Sequence, residues 1–286
     1  MDELLEDDVI RQALDSIGDE MPEEVIYRAN KYVATITLNR PEAKNAMNTQ
    51  INAGLTLSMK RILATPTLRI VFLTGNGPMF CAGGDPKSFQ AASAMANEDN
   101  AKDAISMARF MRVLSSLPLM VCCLLNGSAM GGGVGLVSCC DYVIAKKSAF
   151  IALTEVKLGV IPATISPYVI AKIGTAKARW LFMTGQSLRA DEAMKMGLVN
   201  ELCDTAEDMR KAAEKLMKTM RTAAPQAVAA AKNLLLNIAG KEMGDELRDY
   251  TAGLERPCKG QEAIELMSAL QARTRAPWHV LKFQMP

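Results

Sequence analysis

Three consecutive glycines, Gly131, Gly132 and Gly133, follow an apolar run, Leu119 to Leu125, that is broken by Asn126 and Gly127. Glycine inside regular structure costs about 0.5–1 kcal/mol per residue relative to alanine, so three together are tolerated where a backbone must approach something closely. The triplet sits where a strand can hand over to a helix, which leaves free N–H groups converging on one spot. Such a turn holds an anion or a developing oxyanion. A tight helix–strand contact or an ordinary turn would carry the same cluster. A second glycine turn, Phe80-Cys81-Ala82-Gly83-Gly84-Asp85, follows another β-rich run. A lone carboxylate, Glu155, stands beside Val156, Leu158, Val160 and Ile161, with Pro162 stiffening the exit. An apolar wall raises a carboxyl pKa towards neutrality, which suits proton transfer. A surface or helix-capping glutamate is the other reading of that position.

The rest of the inventory narrows the chemistry. The chain has one histidine, His279, so a Ser-His-Asp or Cys-His centre would have to use it, and His-rich metal sites are excluded. Acid–base work therefore falls to carboxylates. The cysteines stand at 81, 122, 123, 139, 140, 203 and 258, and none makes a CxxC pair. This reads as buried free thiols in a reducing compartment, with neither a disulfide frame nor a zinc site. No apolar run approaches the roughly 20 residues of a membrane span. Residues 1–24 carry ten acidic side chains against Arg11 alone, which fits neither a secretory signal nor an Arg-rich transit sequence. A cytoplasmic protein, or one of an organelle matrix, is expected. The remaining chain is basic, which suits a phosphate-bearing ligand, but its charges are scattered and form no nucleic-acid stripe.

These residues need elements to position them. Residues 1–24 read as an acidic, disordered extension. Val25–Ala29 and Tyr32–Leu38 read as a hairpin about Asn30-Lys31. Asn48 caps a helix to about Ala64 that turns Ile51, Leu55, Met59 and Ile62 to one side. Arg69–Thr74 is a strand. Gln90–Asn100 reads as a mobile loop, and Ala101–Leu117 as a helix with Ile105, Ala108, Met111 and Leu114 inward. The strand Leu119–Leu125 leads into the triple glycine. Short strands at Asp141–Ala145 and Ala149–Ala152 precede the loop of Glu155. Short helices follow at Ser166–Ile173, Ala176–Thr184 and Ala190–Met196, then a strand at Val199–Cys203. The chain is helical over about 206–222, 225–239, 241–254 and 260–273. Strands alternating with helices and then a run of helices argue an α/β core, 25–204, with a C-terminal helical region, 205–286.

The two glycine turns and Glu155 together resemble the enoyl-CoA hydratase/isomerase family, the crotonase superfamily, from about Val25 to Leu270. Leu38-Asn39-Arg40-Pro41 with Asn45-Ala46-Met47 looks like its opening motif. Phe80–Asp85 looks like its first oxyanion turn and Asn126-Gly127 through Gly133 like its second. Gly185 through Val199, with Ala190, Ala193, Gly197 and Leu198, resembles its next landmark. The resemblance implies the crotonase spiral, an α/β fold of repeated ββα units, with C-terminal helices that build a homotrimer or a dimer of trimers. It implies acyl-CoA thioester substrates, with coenzyme A as part of the substrate and neither metal nor other cofactor. Carried over by position, the N–H groups of Gly84 and Gly132 would hold the thioester oxygen and Glu155 would be the catalytic acid–base. Ala43, Lys44 and the stretch Ala82 to Lys87, Asp85 included, would line the coenzyme A site. Lys44 and Lys87 would lie near phosphates, unless they are plain surface lysines, and the Ala163 N–H would help hold a water.

One departure matters. The best-known hydratases of the family carry a second glutamate at the position of Gly135, and glycine cannot move a proton. A single-glutamate hydratase adding water to, or removing it from, a 2-enoyl-CoA is therefore expected. The stretch Glu155-Val-Lys-Leu-Gly-Val-Ile-Pro-Ala-Thr-Ile-Ser-Pro-Tyr-Val resembles the branch that hydrates 3-methylglutaconyl-CoA-type thioesters. The alternatives are a Δ3,Δ2-enoyl-CoA isomerase, for which one base suffices, dehydration of an acyl-carrier-protein thioester, and a non-catalytic member that binds acyl-CoA or acyl-carrier protein.

Overall fold

A computed structural model describes residues 18–87, 97–239, 241 and 260–286. The acidic stretch before Gly18, most of the expected loop at Gln90–Asn100, most of the expected helix 241–254, and Cys258 lie outside the described residues.

The chain alternates between two sheets. The larger has the strand order β1-β2-β3-β5-β7-β10: β1 (Val25–Ala29), β2 (Val33–Leu38), β3 (Ile70–Gly75), β5 (Met120–Leu125), β7 (Tyr142–Lys146) and β10 (Glu201–Cys203). The smaller runs β4-β6-β8-β9: β4 (Met79–Cys81), β6 (Ser128–Met130), β8 (Phe150–Ala152) and β9 (Ser187–Arg189). The hairpin β1–β2 and the β8–β9 pair are antiparallel; every other pairing is parallel. β3, β5 and β7 each turn a corner into a short strand, β4, β6 and β8, before the next helical segment, so each of these units gives one strand to each sheet. The short β4, β6 and β9 lie below the length at which alternation can be read from sequence.

Asn126 ties two of those corners together. Its side-chain oxygen accepts from the Gly75 N–H at 3.0 Å and its amide donates to Gly77 O at 3.0 Å. Gly127 is pressed against the neighbouring corner: a β-carbon there would lie 2.1 Å from Pro78 O.

Both faces of the large sheet are covered, which explains its nearly continuous apolar strands. Val71, Leu73, Val121, Cys123, Leu125, Val143 and Ala145 face one core, shared with the helices α1 (Thr49–Leu63), α2 (Asn97–Ser116) and α3 (Gly132–Cys139). Ile70, Phe72, Cys122, Leu124 and Ile144 alternate with them and face a second core. Met209, Ala213, Met217 and Met220 of α7 (Ala206–Thr222) close that core. The remaining helices are α4 (Ser166–Ile173), α5 (Thr175–Thr184), α6 (Ala190–Met196), α8 (Pro225–Ile238) and α9 (Gln261–Gln271).

Asn48 caps α1 as expected, accepting from the Ile51 N–H at 2.9 Å, and Ile51, Leu55, Met59 and Ile62 are all buried. On α2, Met111 and Leu114 are buried but Ala108 is exposed, and the helix begins at Asn97, inside the expected loop. Among the described residues no helix is long and apolar enough to cross a membrane.

Candidate active site

Three parallel strands of the small sheet end side by side. β4 pairs with β6 through Cys81 and Ala129, and β6 with β8 through Met130 and Ala152. Beyond their carboxyl ends lie Ala82–Asp85, Gly131–Gly133 and Leu153–Glu155. The sheet therefore delivers both glycine turns and the lone carboxylate to one place, the edge at which open parallel sheets bind ligands. The Gly131 N–H donates to Ala152 O at 2.9 Å and sews the second turn to the strand before Glu155.

The glycines let these segments meet backbone to backbone. Gly83 has φ +93° and Gly131 φ +49°, in the left-handed region that side chains disfavour. A β-carbon on Gly83 would lie 2.9 Å from Met130 O, and one on Gly131 3.3 Å from Glu155 Oε1. A β-carbon on Gly133 would lie 2.7 Å from Cys81 O.

Two amides are left pointing at no acceptor. Met47 adds a single rung beside the first turn: its N–H donates to Gly83 O at 2.7 Å, and its carbonyl accepts from the Asp85 N–H at 3.0 Å. Gly84 lies between those bonds. Gly132 opens α3, whose first-turn Val134 and Gly135 N–H groups both donate to Gly131 O, at 2.8 and 3.3 Å. Among the described residues neither the Gly84 N–H nor the Gly132 N–H has a hydrogen-bond acceptor. Met47 reaches across to the second turn, and a β-carbon on Gly132 would lie 2.2 Å from its Cε. The expected motif contained Met47, but nothing in its sequence neighbours points to its contact with the second turn.

Glu155 opens a short 3-10 turn, Glu155–Leu158, and is half-buried. Its Oε1 packs on Gly131, and its Oε2 is buried without a hydrogen-bond partner. Burial holds the carboxyl above its ordinary pKa, against a smaller opposing pull from a backbone hydrogen bond of its own residue. The direction is the expected one, but the expected cause is not. Val156, Leu158, Val160 and Ile161 are exposed, Leu158 and Ile161 at 74% each. The tight turn throws them outward, and the carboxylate packs instead against Gly131 of the second glycine turn.

The family model for enoyl-CoA hydratase/isomerase matches residues 28–257. The chain belongs to the enoyl-CoA hydratase/isomerase family. The enoyl-CoA hydratase ACTT6 of Alternaria alternata is 30% identical over 237 residues, 80% of this chain and 78% of that protein. The 1,2-epoxyphenylacetyl-CoA isomerase of Escherichia coli K12 is 33% identical over 207 residues, 71% of this chain and 78% of that protein. The crystal structure of an enoyl-CoA hydratase from Shewanella pealeana superposes with a TM-score of 0.85 at 27% identity, covering 94% of this chain and 99% of that one. The fold is the crotonase fold, and the protein is an enzyme of this hydratase/isomerase family.

The other residues expected to serve a family substrate fall into three groups. Ala43 and Ala82 are half-buried, and the Ala82 N–H donates to Lys44 O at 3.0 Å, so the segments Ala43-Lys44 and Ala82–Lys87 do run together. Lys44 and Lys87 are both exposed beside them. Asp85 is different: it is buried, and its carboxylate is engaged by Arg40 at 2.5 Å and by the Lys87 N–H at 2.8 Å. The Ala163 N–H, expected to help hold a water, donates instead to Ile161 O at 2.8 Å, because the chain turns tightly after Pro162.

Gly135, the expected point of departure from the family's best-known hydratases, is buried in α3. A β-carbon there would lie 2.3 Å from Ile165 Cγ2 and 2.8 Å from Met111 Cε. The space beside the helix is thus filled by two apolar side chains, one from α2 and one from the entry to α4. The sequence places Met111 on the inward side of its helix and Ile165 in the stretch after Glu155, but neither spacing shows that the two meet at Gly135.

Proposed function

We propose that the enzyme is a hydro-lyase that adds water across, or removes it from, the double bond of a 2-enoyl-CoA, with Glu155 as its one acid–base group. The observation that carries this reading is the pair of unengaged amides, Gly84 and Gly132, beside a buried carboxylate oxygen that lacks a partner. The thioester oxygen would accept from both N–H groups. Each such donor lowers the barrier to an enolate by about 3 kcal/mol. Ionised Glu155 takes a proton from water as the water oxygen bonds to C3, and electron density moves onto the thioester oxygen. The same carboxyl then gives that proton to C2, and the enolate collapses to the saturated thioester. A raised carboxyl pKa suits both halves of this exchange.

Coenzyme A enters as part of the substrate, and the mechanism calls on no metal or resident cofactor. The exposed Lys44 and Lys87 flank the paired segments Ala43-Lys44 and Ala82–Lys87, where they would meet its phosphates. The likeness of Glu155–Val169 to the methylglutaconyl-type branch supports a branched or carboxylated acyl group. Exposed apolar residues on α8 and α9, among them Leu235, Leu236, Ile264 and Leu270, support a homotrimer or a dimer of trimers.

One observation favours a second reading. Ile165 and Met111 leave no second carboxylate at Gly135, and a Δ3,Δ2-enoyl-CoA isomerase needs only one base to carry a proton between C2 and C4. Incubation with crotonyl-CoA, 3-methylglutaconyl-CoA and 3-hexenoyl-CoA, with products identified by mass, separates the two. A gain of 18 mass units, the mass of one water, on either of the first two supports the hydratase. Double-bond migration of the third at unchanged mass supports the isomerase, and turnover of none leaves an acyl-thioester binding protein.

A further inference from the structure

The Gly84 amide hangs from one rung, the pair of hydrogen bonds that Met47 makes to Gly83 and Asp85. Beside it the same two segments share one more backbone bond, Ala82 N–H to Lys44 O at 3.0 Å, and so short a pairing is a weak fixture by itself. Arg40 spans that rung. Its Nη1 donates to Ala46 O at 3.1 Å, on the Met47 side, and to Asp85 Oδ2 at 2.5 Å, on the Gly84 side. Asp85 is 5% exposed, and its other oxygen accepts from the Lys87 N–H at 2.8 Å, so the residue directly after Gly84 is fixed at both oxygens.

Arg40 is in turn held from behind. Asn45, 0% exposed and in the left-handed region at φ +54°, accepts from the Arg40 N–H at 2.8 Å. It donates to Asn76 O at 2.9 Å and Met79 O at 2.8 Å, on the corner that leads into β4. The path from the β3–β4 corner through Asn45 and Arg40 to Asp85 is continuous, and the unengaged amide lies at its end. An oxyanion donor works only if it is held in place before charge develops, and roughly 1 Å of misplacement costs about 100-fold.

We propose that Arg40 and Asp85 are positioning residues that set the direction of the Gly84 N–H, rather than a surface ion pair or a substrate contact. The inference rests on the proposed role of that amide in gripping a thioester carbonyl. Arg40→Lys keeps the charge but replaces the planar guanidinium, whose Nη1 reaches both Ala46 O and Asp85, with a rotating ammonium on a shorter stem. Asp85→Asn keeps the shape and the acceptor for Lys87 but removes the charge. The test uses the full-length enzyme and a chromophoric cinnamoyl-CoA, whose absorbance moves to the red when its thioester carbonyl is polarised. The wild type is expected to shift the probe. Each variant is expected to bind it within roughly 3-fold of the wild-type Kd while losing most of the shift. On a turned-over enoyl-CoA, kcat should fall roughly 10- to 100-fold with KM little changed. The double variant should be no worse than the worse single one, as for two parts of one device.

Variants that shift the probe as the wild type does, at undiminished kcat, would overturn the inference. So would variants that lose probe binding together with their thermal transition, because the pair would then hold the fold and not the amide. A wild type that binds the probe without a shift would strike at the proposed function itself, and is thereby distinct from a failure confined to Arg40 and Asp85.

Discussion

Glu155 carries a stability cost that comes from its burial. Its folded-state pKa lies above the unfolded value because burial disfavours the charged form. Between those two values the folded protein holds more protons than the unfolded chain, so stability falls as pH rises through that window and the full cost persists above it. Glu155→Gln removes the titration. The variant should melt higher than the wild type at neutral pH, and the two should converge as pH drops below the ordinary carboxylate range. Thermal melts across that range check it; a variant melting lower at neutral pH would mean that the carboxylate is stabilised where it sits. Gly135 gives the opposite kind of expectation. The family comparison alone suggests that a second glutamate there restores a two-carboxylate site. With Ile165 Cγ2 2.3 Å from the first added carbon, Gly135→Glu should instead destabilise the fold by about 1–3 kcal/mol from overpacking, and more from burying the charge. A denaturant midpoint unchanged from wild type, with new crotonyl-CoA hydration, would show that the helix can make room.

At the scale of elements, the site depends on how closely three short strands pack. A β-carbon on Gly133 would meet Cys81 at its carbonyl oxygen (2.7 Å), Cβ (2.8 Å) and Sγ (3.2 Å). Backbone cannot step aside as the end of a flexible side chain can, so Gly133→Ala must push α3 away from β4. That separates the two amides, and kcat should drop about 100-fold although Gly133 itself is assigned no contact with substrate. Unchanged kinetics would show that the spacing of β4 and α3 does not matter. Much of this level was legible beforehand. Five of the long strands, the Asn48 cap and the short helices stand within a residue or two of expectation, because apolar period, capping and glycine stops act locally. The strands β4, β6 and β9 were not legible: each is three residues long, too short for a period, and exists because its neighbours in the small sheet do. The surroundings of Glu155 are hidden in the sequence for a related reason: spatial neighbours differ from chain neighbours, since the tight turn exposes Leu158 and Ile161 and brings distant Gly131 into contact.

The whole molecule adds constraints that no single element shows. The large sheet buries both faces, with α7 sealing the second core. The outer faces of α8 and α9 remain apolar, with Leu235 63% and Leu270 59% exposed. Light scattering should give a trimer or a multiple of it, and Leu270→Glu should lower that mass; a wild-type monomer would leave those faces to some other partner. The central claim is that two amides and one carboxylate act together on a thioester. Its most direct measurement is the steady-state rate of wild type and Glu155→Gln on whichever enoyl-CoA of the three the wild type turns over. The account predicts that the variant binds the substrate, folds at least as stably as the wild type, and loses about 100- to 10,000-fold in kcat. A variant with near-wild-type kcat would contradict it.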